Sequence, residues 1–476
     1  MTIWAADGGD LASDRPNMAV GDFNGDGVGD ILIGARFGDG AHNARADSGE
    51  VYVIFGSADP PPEIDIAAGE QDLTVFGADL GDNLGLGVAA GDVNDDGIDD
   101  LLLGAPFAKE TVGGRNEVGA AYVVFGSADL GGSIDLASVK ADVTLVGAAT
   151  TSFLGDHLAS GDVNGDGTAD LLVGATFAPP PGGGAQVGAV YVVFGSPHLG
   201  GTLDMSRGEF DAAMFGAEDL DEVGDAVASA DVNGDGIDDI ITVGEAADGP
   251  DNKRAVAAEV YVFFGSPQLS GALIIGDHGD QDLTVFGAEE NDTLGFSLAA
   301  GDVNGDGIGD IIMVARLASG PGNSEPKCGE IHIVFGSADL GGTLDAAADQ
   351  TDASLYGADQ SDLLSDVAVA DMDGDGVLEV VASTGFGDGA DNSRQDAGET
   401  YVIDADGLGK NVNIQSAPTQ KIVYGAAEGD RTGAAVVAGD VNGDGNKELI
   451  IMSVAGDGPG GRREGAGQVY VIAVAR

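Results

Sequence analysis

Apolar residues along this chain fall in short runs rich in Val, Ile, Leu, Tyr and Phe, each bounded by Gly and Asp. Runs of that kind suit strands, and no segment repeats its apolar positions at helical spacing. Within residues 88–147 four follow one another: Val88–Gly91, Leu101–Gly104, Ala121–Phe125 and Val143–Gly147. The same order returns along the whole chain. The string GDxNGDG, or a close variant, has its first acid at Asp22, Asp92, Asp162, Asp231, Asp302, Asp371 and Asp440, in steps of 70, 70, 69, 71, 69 and 69 residues. Tyr52, Tyr122, Tyr191, Tyr261, His332, Tyr401 and Tyr470 mark a second register of the same period. Four antiparallel strands repeated at a constant interval predict an all-β fold, a seven-bladed β-propeller of four-stranded blades. One domain over residues 1–476 is expected, rather than the several that length alone suggests.

Two details point to a closed ring. The residues shortly before each acid are small, namely Ala19, Ala89, Ala159, Ala228, Ala299, Ala368 and Val437, which lets the innermost strands crowd around an axis. The last repeat ends at Val469–Val474 without a fourth strand, while Thr2–Ala6 resembles Thr74–Ala78. Trp4 then takes the slot held elsewhere by Phe76, Phe215, Phe286, Tyr356 and Tyr424. Residues 2–6 are expected to pair as the outer strand of the last blade and to hide two sheet edges.

The repeated loop reads Asp-x-Asn-x-Asp-Gly-x-x-Asp or nearly so. Hard divalent cations take about six to eight oxygens, which positions 1, 3, 5 and 9 offer through side chains and position 7 through its carbonyl. The candidate ligands are Asp22, Asn24, Asp26, Val28 and Asp30 in the first loop, Asp92, Asn94, Asp96, Ile98 and Asp100 in the second, and Asp162, Asn164, Asp166, Thr168 and Asp170 in the third. They continue with Asp231, Asn233, Asp235, Ile237 and Asp239, then Asp302, Asn304, Asp306, Ile308 and Asp310. The sixth loop offers Asp371, Asp373, Asp375, Val377 and Glu379, and the seventh Asp440, Asn442, Asp444, Asn446 and Glu448 beside Lys447. An EF-hand needs an acid at position 12, where this chain holds Ile33, Leu103, Val173, Thr242, Met313, Ala382 and Ile451. One such loop would serve equally as a plain turn; repetition in register points to calcium, up to seven ions with one per blade. Their expected role is to stabilise the blades.

Charge narrows the partners. The 81 acidic residues outnumber 19 Lys and Arg, a net charge of −62, so nucleic acid and anionic membranes are repelled. Calcium would offset only a small part of this, and the rest suits a solvated surface in a salty or calcium-rich exterior. No apolar run is long enough for a membrane span, so no direct insertion is expected, and the N-terminus lacks the pattern of a secretory leader. Cys328 stands alone, which excludes an intramolecular disulfide.

The repeats resemble the FG-GAP family, the propeller of integrin α subunits and its bacterial relatives. Leu101-Leu102-Leu103-Gly104-Ala105-Pro106 carries the GAP element, Ile31–Ala35 and Leu171–Ala175 repeat it without proline, and the FG element appears as LG at Leu84-Gly85, Leu154-Gly155 and Leu294-Gly295. Val243, Val314, Ser383 and Met452 replace the Gly of GAP and put the strand ends of those blades in question. The resemblance implies calcium in the hairpin between the first two strands of a blade, on one face, with ligand recognition on the other.

That second face would carry the loops between second and third strands, which hold Arg36, Arg45, Lys109, Arg115, Lys253, Arg254, Arg316, Lys327, Arg394, Arg462 and Arg463. These cations suit acidic glycans or protein carboxylates, with Arg36, Arg254 and Arg462 as the candidate ligand-binding residues. Alternatively they brace the fold locally, Arg45 against Glu50 and Arg394 against Glu399. No catalytic residue stands out: His42, His157, His198, His278 and His332 are scattered, with no HExxH or nucleophile-elbow pattern. The reading is a noncatalytic, calcium-stabilised recognition or adhesion module, extracellular or on a cell surface, binding a protein or glycan as a monomer or as part of a larger surface protein. A calcium-assisted polysaccharide lyase and a rigid spacer are the alternatives.

Overall fold

In the second repeat, strands Val88–Gly91, Asp100–Ala105, Ala120–Val124 and Val143–Val146 pair antiparallel in that order. The second and third strands, such as Asp30–Ala35 and Glu50–Ile54, are buried along their whole length. That is why they read as continuous apolar runs rather than alternating ones: each sheet packs on a neighbouring sheet with both faces. Leu32, Val51 and Val53 of blade 1, for instance, share a core with Leu101, Leu103 and Val124 of blade 2. The computed structural model describes residues 1–11, 17–109, 115–276 and 279–474; among these the repeats form a seven-bladed β-propeller with 3-10 turns and no α-helix. His278 lies outside the described residues.

The innermost strands approach as closely as their small residues allow. A Cβ on Gly21 would lie 2.9 Å from Ala90 Cβ of the next blade, and one on Gly439 would lie 2.5 Å from Val20 Cγ1. The latter contact joins the last blade to the first. Closure is completed by Thr2–Trp4, which pairs antiparallel with Gln468–Tyr470. This strand is shorter than the expected 2–6: Arg463 donates to the carbonyl oxygens of Ala5 and Ala6, which carry no ladder beyond Trp4.

Six blades have a fifth strand that the sequence reading did not foresee. Each outer strand is capped in parallel by a short strand from the connection between the third and outer strands of the following blade. Gly132–Asp135 caps Leu73–Phe76, Gly201–Asp204 caps Val143–Val146, and Gly271–Ile274 caps Ala212–Phe215. Gly342–Asp345 caps Leu283–Phe286, Val412–Asn413 caps Leu355–Tyr356, and Glu63–Asp65 caps the closing strand at the N-terminus. The caps are brief and exposed on one side, so they carry neither alternation nor an apolar run. Among the described residues blade 6 alone has four strands, ending at Thr419–Tyr424.

The variable GAP position is settled by contacts between blades. A Cβ on Gly34, Gly104 or Gly174 would sit 2.0, 1.9 or 2.2 Å from the carbonyl oxygen of Gly85, Gly155 or Gly224, so only glycine fits there. In blade 4 Val243 packs on Gly295, where a Cβ would lie 2.6 Å from Val243 Cγ2. The second strand keeps its length, Asp239–Gly244 against Asp170–Ala175.

Candidate metal centres

Each acidic loop joins the first and second strands of its blade, so all seven lie on one face. Their turn is built by the acids themselves. In the first loop Asp26 N and Gly27 N donate to Asp22 Oδ1 and Oδ2 at 3.0 and 2.8 Å, Asp26 N also to Asn24 Oδ1 at 2.9 Å, and Val28 N to Asp26 Oδ1 at 2.9 Å. The fourth loop repeats this geometry through Asp231, Asn233 and Asp235. Such bonds orient the carboxylates at positions 1 and 5; in the first loop each of these oxygens keeps a second lone pair, whereas Asp231 Oδ1 also accepts from Gly234 N at 2.7 Å and its Oδ2 keeps one.

Position 9 plays a different part. Asp30, Asp100, Asp170, Asp239 and Asp310 are fully buried. Asp30 accepts from Phe23 N at 2.9 Å, from Gly56 N at 2.8 Å and from Asn24 Nδ2 at 3.4 Å, tying its loop to the end of the third strand. Glu379 and Glu448 make the corresponding bonds to Met372 N and Val441 N; the longer side chain reaches the same donors. Burial, reinforced by the acids at positions 5 and 1, pushes Asp30, Asp100, Asp170 and Asp239 up to about 7 and Asp310 up to about 6, against the pull of the backbone donors. Glu379 is likewise raised to about 7 by burial, and Glu448 is raised.

These residues fit a hard divalent cation. The donors are oxygens throughout, and in the sixth loop ligand oxygens of Asp371, Asp373 and Glu379 lie within 4.8 Å of one another. Among the described residues, no Lys, Arg or His pairs with a carboxylate of the first five loops. Burying converging acids without a counter-charge is costly.

The loops also touch around the ring. Asp22 N donates to Asp99 Oδ2 and Asp99 N to Asp22 O; Gly309 N and Leu378 N donate to Asp231 O and Asp302 O, and Gly29 N closes the circle on Asp440 O. Side chains at position 7 lean on the Gly at position 4 of the preceding loop, so a Cβ on Gly25, Gly165 or Gly234 would meet Ile98, Ile237 or Ile308 at 2.9 Å. Where Asp95 replaces that Gly, the next loop carries the smaller Thr168.

The candidate arginines take up different positions. Arg254 is bound to Asp345 of its cap, Nη2 to Oδ2 at 2.6 Å. Arg36 lies over the Phe37 ring, 4.4 Å from its centroid, and Arg462 is exposed. Arg45 braces Asp135 at 2.6 Å rather than Glu50, which instead accepts from Tyr52. Bracing therefore runs between blades, to a strand that sequence reasoning missed. Asp156, His157 and Asp225, at the starts of two innermost strands, also come together within 4.8 Å; their dispersal over two repeats hid this.

A seven-bladed propeller with an acidic hairpin loop in every blade defines the class. The chain carries FG-GAP repeats, matched by the family model at residues 16–54, 84–124 and 154–193. It is 33% identical over 219 residues to phosphatidylinositol-glycan-specific phospholipase D of Bos taurus, covering 45% of this chain and 25% of that protein. Integrin alpha pat-2 of Caenorhabditis briggsae is 36% identical over 170 residues, 33% of this chain and 13% of its own. Integrin alpha-5 of Xenopus laevis is 33% identical over 184 residues, 38% of this chain and 15% of its own. The chain thus spans a quarter or less of the length of these relatives. A crystal structure of BBS1N in complex with ARL6DN, soaked with lead, shares the fold at TM-score 0.50 and 8% identity, covering 99% of this chain and 97% of the matched one.

Proposed function

We propose that this chain is a calcium-stabilised, noncatalytic recognition module of an extracellular or cell-surface protein. Calcium, up to one ion per blade, sits in the acidic loops, and a protein or glycan ligand binds the face opposite. The observation that carries the metal reading is the buried carboxylate at position 9, raised further by the half-buried and exposed acids at positions 1 and 5 that converge on it, with no cationic side chain beside them in the first five loops. A divalent ion supplies the missing positive charge and binds only the folded arrangement, so it stabilises the fold.

A binding role is favoured over catalysis by the relatives: one repeat scaffold occurs in a phospholipase and in integrin α chains, so the shared part need not carry the chemistry. Cys328 is buried and its thiol is pushed up to about 12 by burial, which makes it a poor nucleophile. With Arg254 held by Asp345 and Arg36 half-buried over Phe37, the exposed Arg462 is the better candidate for contacting an acidic ligand. Binding to arrays of glycans and cell-surface proteins, with calcium and with chelator, tests the reading. It expects a saturable hit weakened by Arg462→Ala with folding unchanged; a folded, calcium-loaded protein that binds nothing would count for a spacer, and release of unsaturated sugars for a lyase.

A further inference from the structure

Arginines bind the caps to their blades by a consistent rule. Four residues before the Gly or Ala that precedes each third strand stands Arg45 in blade 1, Arg115 in blade 2, Arg254 in blade 4 and Arg463 in blade 7. Each pairs with the acid that ends its cap: Asp135 at 2.6 Å, Asp204 at 3.2 Å, Asp345 at 2.6 Å and Asp65 at 2.7 Å. Blades 3 and 5 carry Gly184 and Glu325 at the arginine position, and their caps end in Ile274 and Asn413. The cation and the carboxylate are thus present together or absent together in all six capped blades.

Blade 6 breaks the rule in one way only. It has the arginine, Arg394, and, among the described residues, no cap. The side chain adopts the pose of its counterparts: a Cβ on Gly389 would lie 3.1 Å from Arg394 Nε, against 3.2 Å for Gly40 and Arg45 and 3.2 Å for Gly458 and Arg463. Among the described residues its guanidinium has no carboxylate partner; its Nε is buried without a hydrogen bond, as is that of the capped Arg45. Beside it, Tyr424 is 40% exposed, whereas Phe76, Phe215, Phe286 and Tyr356, beneath caps, are half-buried or buried. The strand that would cover both has its place beyond Ala473, where the other caps lie between the third and outer strands of the following blade.

We propose that the open edge of blade 6, Thr419–Tyr424, is a docking site for an extended segment of a partner polypeptide, which pairs in parallel with it and places an aspartate on Arg394. The caps define its chemistry: Gly, a small hydroxyl residue, Leu or Ile, then Asp, as in Gly201-Thr202-Leu203-Asp204 and Gly342-Thr343-Leu344-Asp345. Backbone bonds supply binding and the carboxylate fixes register, as in strand addition to other exposed edges. A second copy fits poorly. Its own caps are engaged within the ring, each copy carries a charge of −62, and pairing about a twofold axis normal to the sheet would run antiparallel.

The probe is a synthetic peptide copying residues 197–208, added to the intact protein while amide hydrogen exchange is followed by mass spectrometry. The expected result is saturable slowing of exchange confined to the Thr419–Tyr424 edge. Binding should weaken about tenfold or more when the peptide aspartate is replaced by asparagine, a change that leaves the protein untouched, and similarly in Arg394→Gln. Unchanged exchange at high peptide, or equal binding of the aspartate and asparagine peptides, overturns the proposal. So does protection of these amides without peptide, whether from self-association or from the chain covering its own edge.

Discussion

At the scale of the residue, one buried carboxylate per loop sets much of the behaviour. Asp30, Asp100, Asp170 and Asp239 are raised from 3.8 to about 7 by burial, so in the metal-free fold their charged forms are disfavoured. The sign follows: their contribution is fully present below the unfolded pKa and is lost as pH rises through the folded one. In chelator the protein should therefore melt higher at about pH 5 than at about pH 8, with calcium narrowing or reversing the difference; a melt in chelator that climbs with pH would contradict this. Glycine gives a second prediction. Gly104→Ala drives a Cβ to 1.9 Å from Gly155 O and should cost about 2 kcal/mol or more in urea unfolding. The loop pattern made every position-9 acid legible in advance. That they strut the third strand was not, because the donor, such as Gly56 N for Asp30, lies 26 residues away and is a backbone group without a sequence signature.

At the scale of the element, strands one to four were readable because their burial leaves apolar runs at a fixed period, whereas the caps were not. A cap such as Gly132–Asp135 is short and half-exposed, and its partner strand belongs to the preceding repeat. Its only advance signal was the arginine some ninety residues earlier, which reads as local bracing until the cap is seen. The Arg254–Asp345 pair is less than a third exposed on both sides and has paired hydrogen bonds at 2.8 and 2.6 Å. A double-mutant cycle with Arg254→Ala and Asp345→Ala should return a coupling of about 1 kcal/mol, above the usual surface pair. Additive losses would show that the clamp adds nothing to cohesion between blades.

At the scale of the molecule, the ring is closed by three residues. Thr2–Trp4 holds the third strand of the last blade on one side and the Glu63–Asp65 cap on the other. Removing residues 1–8 exposes both edges and should lower the melting temperature by many degrees; an unchanged melt would show that the ring coheres without its closure. The acidic loops form a second, smaller ring on one face, hydrogen-bonded from blade to blade through contacts such as Asp22 with Asp99. Calcium filling one loop is therefore expected to steady its neighbours, seen as slower amide exchange in the adjoining loops.

The most direct measurement is thermal unfolding of the intact protein, after exhaustive chelation and again after calcium is restored, with bound calcium counted in parallel. The expected result is a large drop in melting temperature on chelation, full recovery with calcium, and several ions bound per chain. Identical melts with and without calcium, or no calcium bound by a folded chain, would contradict the assignment of the acidic loops as the metal centres that hold the propeller together.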